Sequence, residues 1–349
     1  MSNLFANASQ IVISILGLSL LVIVHETGHY LAARLFGMKV LRYSIGIGPT
    51  IAKWQPKNSP TVFQVCLIPA LAYVQIAGMN PFEENDRDDP TLFPNKGLLA
   101  RAITIAAGPF ANYAFASLLI FGTAVIGWPR YPVGEVNPDQ PAAAAGMKTG
   151  DIFVRANGSP TLDWQDLVQN TSDRVGQPTE YTVERQGKLL HFTITPTLYK
   201  GRGVIGVVRG DKPVVRPLEL SAAARAAVVL PYTMTVLHIK SMGELFRKPS
   251  TDNLVGPIGM GKLLSKQYER GLLDYITLLV TISVLLGAFN LFPFPALDGG
   301  RLLFLGYEFV TRRKPNERIE AIVHTVGIVV LLGLFVTVTA REVREMFWG

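Results

Sequence analysis

Cysteine is almost absent from this chain. Cys66 is the only one in 349 residues, so no disulfide can form within the chain and no cysteine cluster can hold a metal. The lone thiol is read as a small buried apolar group. Charge is scarce as well: 17% of residues are charged against 49% hydrophobic, which is too apolar for an ordinary soluble domain of this length. The cations give a formal net charge of +7, yet they are not gathered into one run with aromatics interleaved, which argues against nucleic acid as a partner. Residues 1–10 carry no Lys or Arg, and no small-residue cleavage site follows the first apolar run. That run is expected to stay in place rather than leave as a signal peptide.

What is abundant is long apolar sequence. From Ile11 to Ala33 the only charged side chain is Glu26, and the run is long enough to cross a hydrocarbon core of about 30 Å as a helix. Further charge-free stretches run from Ala102 to Trp128, from Tyr275 to Leu297 and from Ala321 to Ala340. Four transmembrane helices are therefore expected. Lys and Arg concentrate between the first two stretches (Arg34, Lys39, Arg42, Lys53, Lys57, Arg87, Lys96, Arg101) and between the last two (Arg301, Arg312, Arg313, Lys314, Arg318). By the positive-inside rule those loops are cytoplasmic, which places both termini and the long segment from about Pro129 to Asp274 on the other side.

Within that long segment, residues 129–213 read as a small inserted domain. Short β-type runs such as Asp151–Arg155 and Tyr181–Arg185 are separated by Gly, Pro and Asn turns. Residues 214–273 turn helical and are read as a juxtamembrane linker on or near the membrane surface, the helical stretch running to Lys248. The division is thus 1–128, an N-terminal membrane part; 129–213, the inserted domain; 214–273, the linker; and 274–349, a C-terminal membrane part. The fold class is a polytopic α-helical membrane protein with an inserted α+β domain.

Inside the first apolar run stands His25-Glu-Thr-Gly-His29, an H-E-x-x-H motif whose helical spacing puts the two imidazoles one turn apart on one face. An ionisable trio buried at membrane depth costs about 2.5–3.5 kcal/mol for the acid alone and needs partners or water, both of which a metal site supplies. Two His ligands leave a tetrahedral zinc short of one protein group, the fourth position being kept for water. Downstream, Asn290-Leu-Phe-Pro-Phe-Pro-Ala-Leu-Asp-Gly-Gly300 breaks its helix with paired prolines and glycines and puts Asp298 at membrane depth.

On these residues the chain resembles the site-2 protease family of intramembrane zinc metalloproteases. That family completes its H-E-x-x-H helix with an aspartate in an N-x-x-P-x-P-x-L-D-G-G segment. Ala107-Gly-Pro-Phe-Ala-Asn112 resembles the family's G-P-x-x-N element, and Gly256-Pro-Ile-Gly259 extends the likeness over nearly the whole chain. The resemblance implies zinc held by His25, His29 and Asp298, with Glu26 as general base, taking a proton from a water whose pKa zinc lowers toward about 7. Asn290, with Pro293 and Pro295, would hold the unwound substrate. The family also carries a membrane-associated β-hairpin where Tyr43–Gly48 and Thr61–Ile68 alternate, a candidate edge for capturing an extended peptide. Here Ile68-Pro-Ala-Leu-Ala-Tyr-Val74 replaces the family's usual Gly-Gly pair before the tyrosine. Gln140–Gly158 resembles bacterial PDZ domains, which implies a peptide or protein ligand; some relatives have two such domains, and this chain has room for one.

Taken together, the resemblance implies a peptidase of regulated intramembrane proteolysis in a bacterial inner membrane. It would act on single-span membrane proteins such as an anti-sigma factor or a signal-peptide remnant. The rivals are a non-catalytic scaffold that recruits partners through its PDZ domain and an ion-coupled transporter. His191, His238 and His324 have no spaced partner and are read as structural.

Overall fold

The computed structural model describes residues 2–80, 86, 88–247 and 254–348. Arg87 of the first cation-rich loop and Lys248 at the end of the linker helix lie outside them. Two compact units emerge, one made of residues 1–119 and 230–349, the other of residues 120–229.

The first unit opens with α1 (Ser2–Leu35), followed by the long strands β1 (Val40–Trp54) and β2 (Val62–Ile76), a short 3-10 turn (Phe93–Asn95) and α2 (Leu98–Ile126). On one side of β1, partners fall from Gln75 to Ala72 as β1 runs from Arg42 to Ile45; on the other they rise from Val62 to Val65. The start of β1 thus lies between two arms of β2, and the arm ending at Ile76 is left as the outer edge. Tyr43 fastens the sheet to α1, its hydroxyl donating to Ile23 O at 3.1 Å and lying 2.8 Å from Thr27 Oγ1.

The second unit holds β3 (Trp128–Arg130), β4 (Val133–Val136), α3 (Pro141–Ala144), β5 (Ile152–Ala156), β6 (Ser159–Pro160), α4 (Trp164–Ser172), β7 (Thr179–Arg185), β8 (Lys188–Ile194), β9 (Thr197–Tyr199), β10 (Arg202–Val204), β11 (Val207–Arg209) and β12 (Val214–Arg216). Its main sheet has the order β6-β5-β7-β8 and is antiparallel. Asn157 and Gly158, both at positive φ, make the two-residue turn between β5 and β6. Phe153, Tyr181, Val183, Ala142, Met147 and Leu167 form one core. The pairing of β3 with β12 joins the start of this unit to its end.

The chain then runs through α5 (Leu220–Arg247), α6 (Pro257–Arg270), α7 (Leu272–Leu291), α8 (Asp298–Thr311) and α9 (Glu317–Trp348). Within the third apolar stretch α7 stops at Leu291, ahead of the expected proline break, since Pro293 and Pro295 have no N–H to continue the ladder. Gly256-Pro-Ile-Gly259 starts α6, and its amides close on a carboxylate from α9. Glu342 accepts from Gly256 N (2.7 Å), Ile258 N (3.1 Å) and Gly259 N (3.1 Å), and a Cβ at either glycine would collide with that carboxylate.

Among the described residues five helices are long and apolar enough to cross a membrane, one more than the sequence analysis expects: parts of α1, α2, α5, α7 and α9. The addition is Leu220–Gly243 of α5. Val326, Val329, Val330, Leu332, Phe335 and Val336 on α9 are all more than half exposed, an apolar surface suited to lipid.

Candidate metal centre

All the motif residues belong to the first unit. Helical spacing alone puts His25 and His29 on one face of α1, and the pair is buried. The third group arrives from α8. Leu297 precedes that helix in extended conformation, and Asp298 is its first residue. Gly299 and Gly300 let the turn fold back on itself: a Cβ at Gly299 would lie 2.1 Å from Phe292 O, and one at Gly300 2.5 Å from Phe294 O.

His25 Nε2, His29 Nε2 and Asp298 Oδ2 form a nearly equilateral triangle. The His–His edge is 3.2 Å, and the carboxylate oxygen lies 3.2 Å from His25 and 3.3 Å from His29. Three ligands about 2.0–2.1 Å from zinc at tetrahedral angles stand about 3.3–3.4 Å apart, so the triangle has the size of a zinc face. Its proton chemistry agrees. His29 Nδ1 lies 2.9 Å from Thr104 O, and a carbonyl only accepts, so the ring's proton sits on Nδ1 and the neutral Nε2 offers a lone pair. Asp298 Oδ2 is buried and has no hydrogen-bond donor among the described residues. Three electron-rich atoms turned toward one another repel unless a cation stands between them.

The second-layer partners come from α2, and sequence reasoning did not assign them. His25 Nδ1 lies 3.2 Å from the side-chain amide of Asn112, which is fully buried. Asn112 Oδ1 has no partner among the described residues; with the amide turned over, that oxygen accepts His25 Nδ1–H and leaves Nε2 facing the triangle. Gly108 is required by contact, because a Cβ there would sit 2.3 Å from His29 Nε2. Gly28 brings the helices this close: a Cβ on it would lie 2.2 Å from Ala107 O. The Ala107–Asn112 element was visible in the sequence, but its contacts to the two imidazoles were not. A bidentate ion pair, Arg101 Nη2 to Glu308 Oε1 at 2.6 Å and Nη1 to Oε2 at 3.0 Å, ties α2 to α8.

Glu26 stands beside both histidines on α1, and its Oε2 accepts the backbone N–H of Val74, on the outer arm of β2, at 2.8 Å. Tyr73–Ile76 of that arm also line a cavity of about 430 Å³, together with Phe304 and Leu305 of α8 and His324 and Ile328 of α9. Asn290 Nδ2 donates to Leu286 O of its own helix at 2.9 Å, while Pro293 and Pro295 lie in the turn between α7 and α8. Among the described residues His25, His29 and Asp298 are the one cluster of potential metal ligands; His191, His238 and His324 are not in it.

Residues 13–334 match the model of peptidase family M50. The chain belongs to peptidase family M50. A candidate zinc metalloprotease of Mesorhizobium japonicum is 31% identical, over 90% of this chain and 93% of its own length. The zinc metalloprotease RasP of Geobacillus kaustophilus is 28% identical, with 94% and 96% covered. The metalloprotease MmpA of Caulobacter vibrioides is 30% identical, with 90% of each covered. The PDZ domain of an SdrC-like protein from Listeria monocytogenes is a solved neighbour, at 24% identity and TM-score 0.22, covering 23% of this chain and 87% of that one. Family membership and the apolar helices together make this a membrane protein.

Proposed function

We propose that this M50 protein is a zinc endopeptidase of the site-2 type, cutting single-span membrane proteins at a peptide bond within or beside the bilayer. The observation that carries the reading is the triangle of His25, His29 and Asp298, with both histidines on a helix of membrane length and Glu26 next to them. The ion, when bound, supplies a Lewis acid that activates water and polarises the scissile carbonyl.

The protein's own groups do the rest. Thr104 O and Asn112 hold the imidazoles in the ligating tautomer, and Asp298 adds the negative charge that favours a divalent cation. Glu26 takes a proton from the attacking water and returns it to the leaving amine. The carbonyls of a helical substrate are closed off by their own hydrogen bonds, so the segment must be extended before attack. The outer arm of β2 offers an edge on which an extended segment can add as a strand, beside the cavity and within one hydrogen bond of Glu26. Asn290, Pro293 and Pro295 are assigned to holding that segment as well.

In the second unit a cavity of about 390 Å³, lined by Leu167 and Val168 of α4 and by Ile205 and Val207, is assigned to an extended peptide in the PDZ manner. The cation-rich loops are assigned to the cytoplasm of a bacterial inner membrane, and the second unit and both termini to the other side. That topology requires α5 to return without crossing. Reporter fusions at both ends test it, and ends on opposite sides would reject it.

The enzymatic reading is tested by metal content and by one conservative variant. Purified full-length protein should hold about one zinc per chain. Glu26→Gln should keep it and lose cleavage of a reconstituted single-span substrate. Cleavage unchanged in that variant would remove Glu26 as the base, and no cleavage by the zinc-loaded wild-type protein would make a scaffold the better description.

A further inference from the structure

The turn that delivers Asp298 contains a residue in an unfavourable conformation. Ala296 has φ +74°, in the left-handed region that side chains other than glycine avoid at a cost of about 1–2 kcal/mol. Its neighbours are tied locally, Phe294 N to Phe292 O at 2.7 Å and Leu297 N to Phe294 O at 3.2 Å. The amide of Ala296 is tied by α9 instead: its N–H donates to His324 Nδ1 at 3.0 Å.

The same helix presses on the turn one step further along. A Cβ at Gly327 would lie 2.5 Å from Pro295 Cβ and 2.6 Å from Pro295 C and O, so the α9 backbone lies directly against Pro295. Because Nδ1 accepts, the neutral ring carries its proton on Nε2, which is buried without a hydrogen-bond partner among the described residues. An apolar side chain would avoid that cost but leave the Ala296 amide unpaired.

We propose that His324 is a positioning residue for the metal-binding carboxylate: from a helix that contributes no ligand, it holds Ala296 left-handed and thereby sets where Asp298 reaches. The proposal rests on the reading of Asp298 as a ligand. Distant though they are in sequence, Gly327 seats the turn and His324 locks it, so that Oδ2 arrives at the two imidazoles instead of sampling positions around them.

The test is zinc affinity, by competition with a chelator, on the purified full-length protein and its variants. His324→Leu should weaken zinc about tenfold or more, the usual scale for partners that orient ligands. His324→Asn keeps an acceptor at the position of Nδ1 and should retain most of the affinity, whereas His324→Gln carries its acceptor one bond further out and should not. Ala296→Gly added to His324→Leu should recover affinity, because glycine adopts the turn unaided; a role in general packing predicts no such recovery. Wild-type affinity in both His324→Leu and His324→Gln overturns the proposal, as does equal loss in the Asn and Gln variants. Where the Leu variant fails to fold, the Asn and Gln comparison decides. Asp298→Ala is run alongside: if it binds zinc as tightly as wild type, the ligand reading falls and the proposal with it. If it loses zinc while His324→Leu and His324→Gln do not, only the proposal falls.

Discussion

The backbone N–H of Val74 donates to Glu26 Oε2 at 2.8 Å, joining the outer arm of β2 to the acid of the H-E-x-x-H motif. One hydrogen bond therefore couples the edge assigned to substrate with the group assigned to proton transfer. It also fixes which carboxylate oxygen is engaged and which is left for water. Val74→Pro removes this donor at an edge position, where proline is tolerated. Zinc content should be unchanged and kcat should fall by about tenfold or more, within the range general-base catalysis supplies. A variant with wild-type kcat would show that the bond has no part in turnover.

Asn112 supports His25 without belonging to the triangle. Asn112→Leu removes the group that sets the tautomer while keeping similar volume, and zinc affinity should drop by about 10–100-fold. Asn112→Asp, which keeps an acceptor for Nδ1–H, should lose much less. Chelator competition distinguishes the two, and equal affinities in both variants would remove Asn112 from the site.

The Arg101–Glu308 pair is buried and bidentate, with side chains 9% and 14% exposed. Glu308→Ala leaves the guanidinium buried without its partner, and the loss should be about 3–5 kcal/mol. Thermal unfolding in detergent measures it. Replacing both residues by apolar ones of similar size should cost less than the single change.

In the second unit, fully buried Asp151 accepts from Arg185 Nε at 2.6 Å, from Arg185 Nη2 at 2.7 Å and from Lys148 N at 2.9 Å. These bonds hold the Arg185 guanidinium above its ordinary pKa. Asp151→Ala should destabilise this unit by about 2–3 kcal/mol, the arginine being partly solvated. Hydrogen exchange should report the loss in β5 and β7 while zinc affinity stays as in wild type.

The candidate ligand set was legible because each part is local. Helical spacing pairs His25 with His29, and a run of prolines and glycines marks the break before Asp298. What orients those ligands is tertiary. Nothing in the order of residues says that Asn112 meets His25, that Thr104 O meets His29, or that Glu342 closes on Gly256-Pro-Ile-Gly259. His324 read as a structural histidine because its partner is a backbone amide, which has no signature in sequence. Leu220–Gly243 escaped notice as a candidate span because its charges and small residues dilute an apolar face.

X-ray absorption at the zinc edge of the purified full-length protein decides whether His25, His29 and Asp298 hold a metal ion. A zinc centre built by these residues gives about one zinc per chain, with scattering from two imidazoles and a light oxygen shell at about 2.0–2.1 Å. His29→Ala should reduce the imidazole signal. Protein that cleaves its substrate without zinc, or zinc whose imidazole signal is unchanged in His29→Ala, would contradict such a centre.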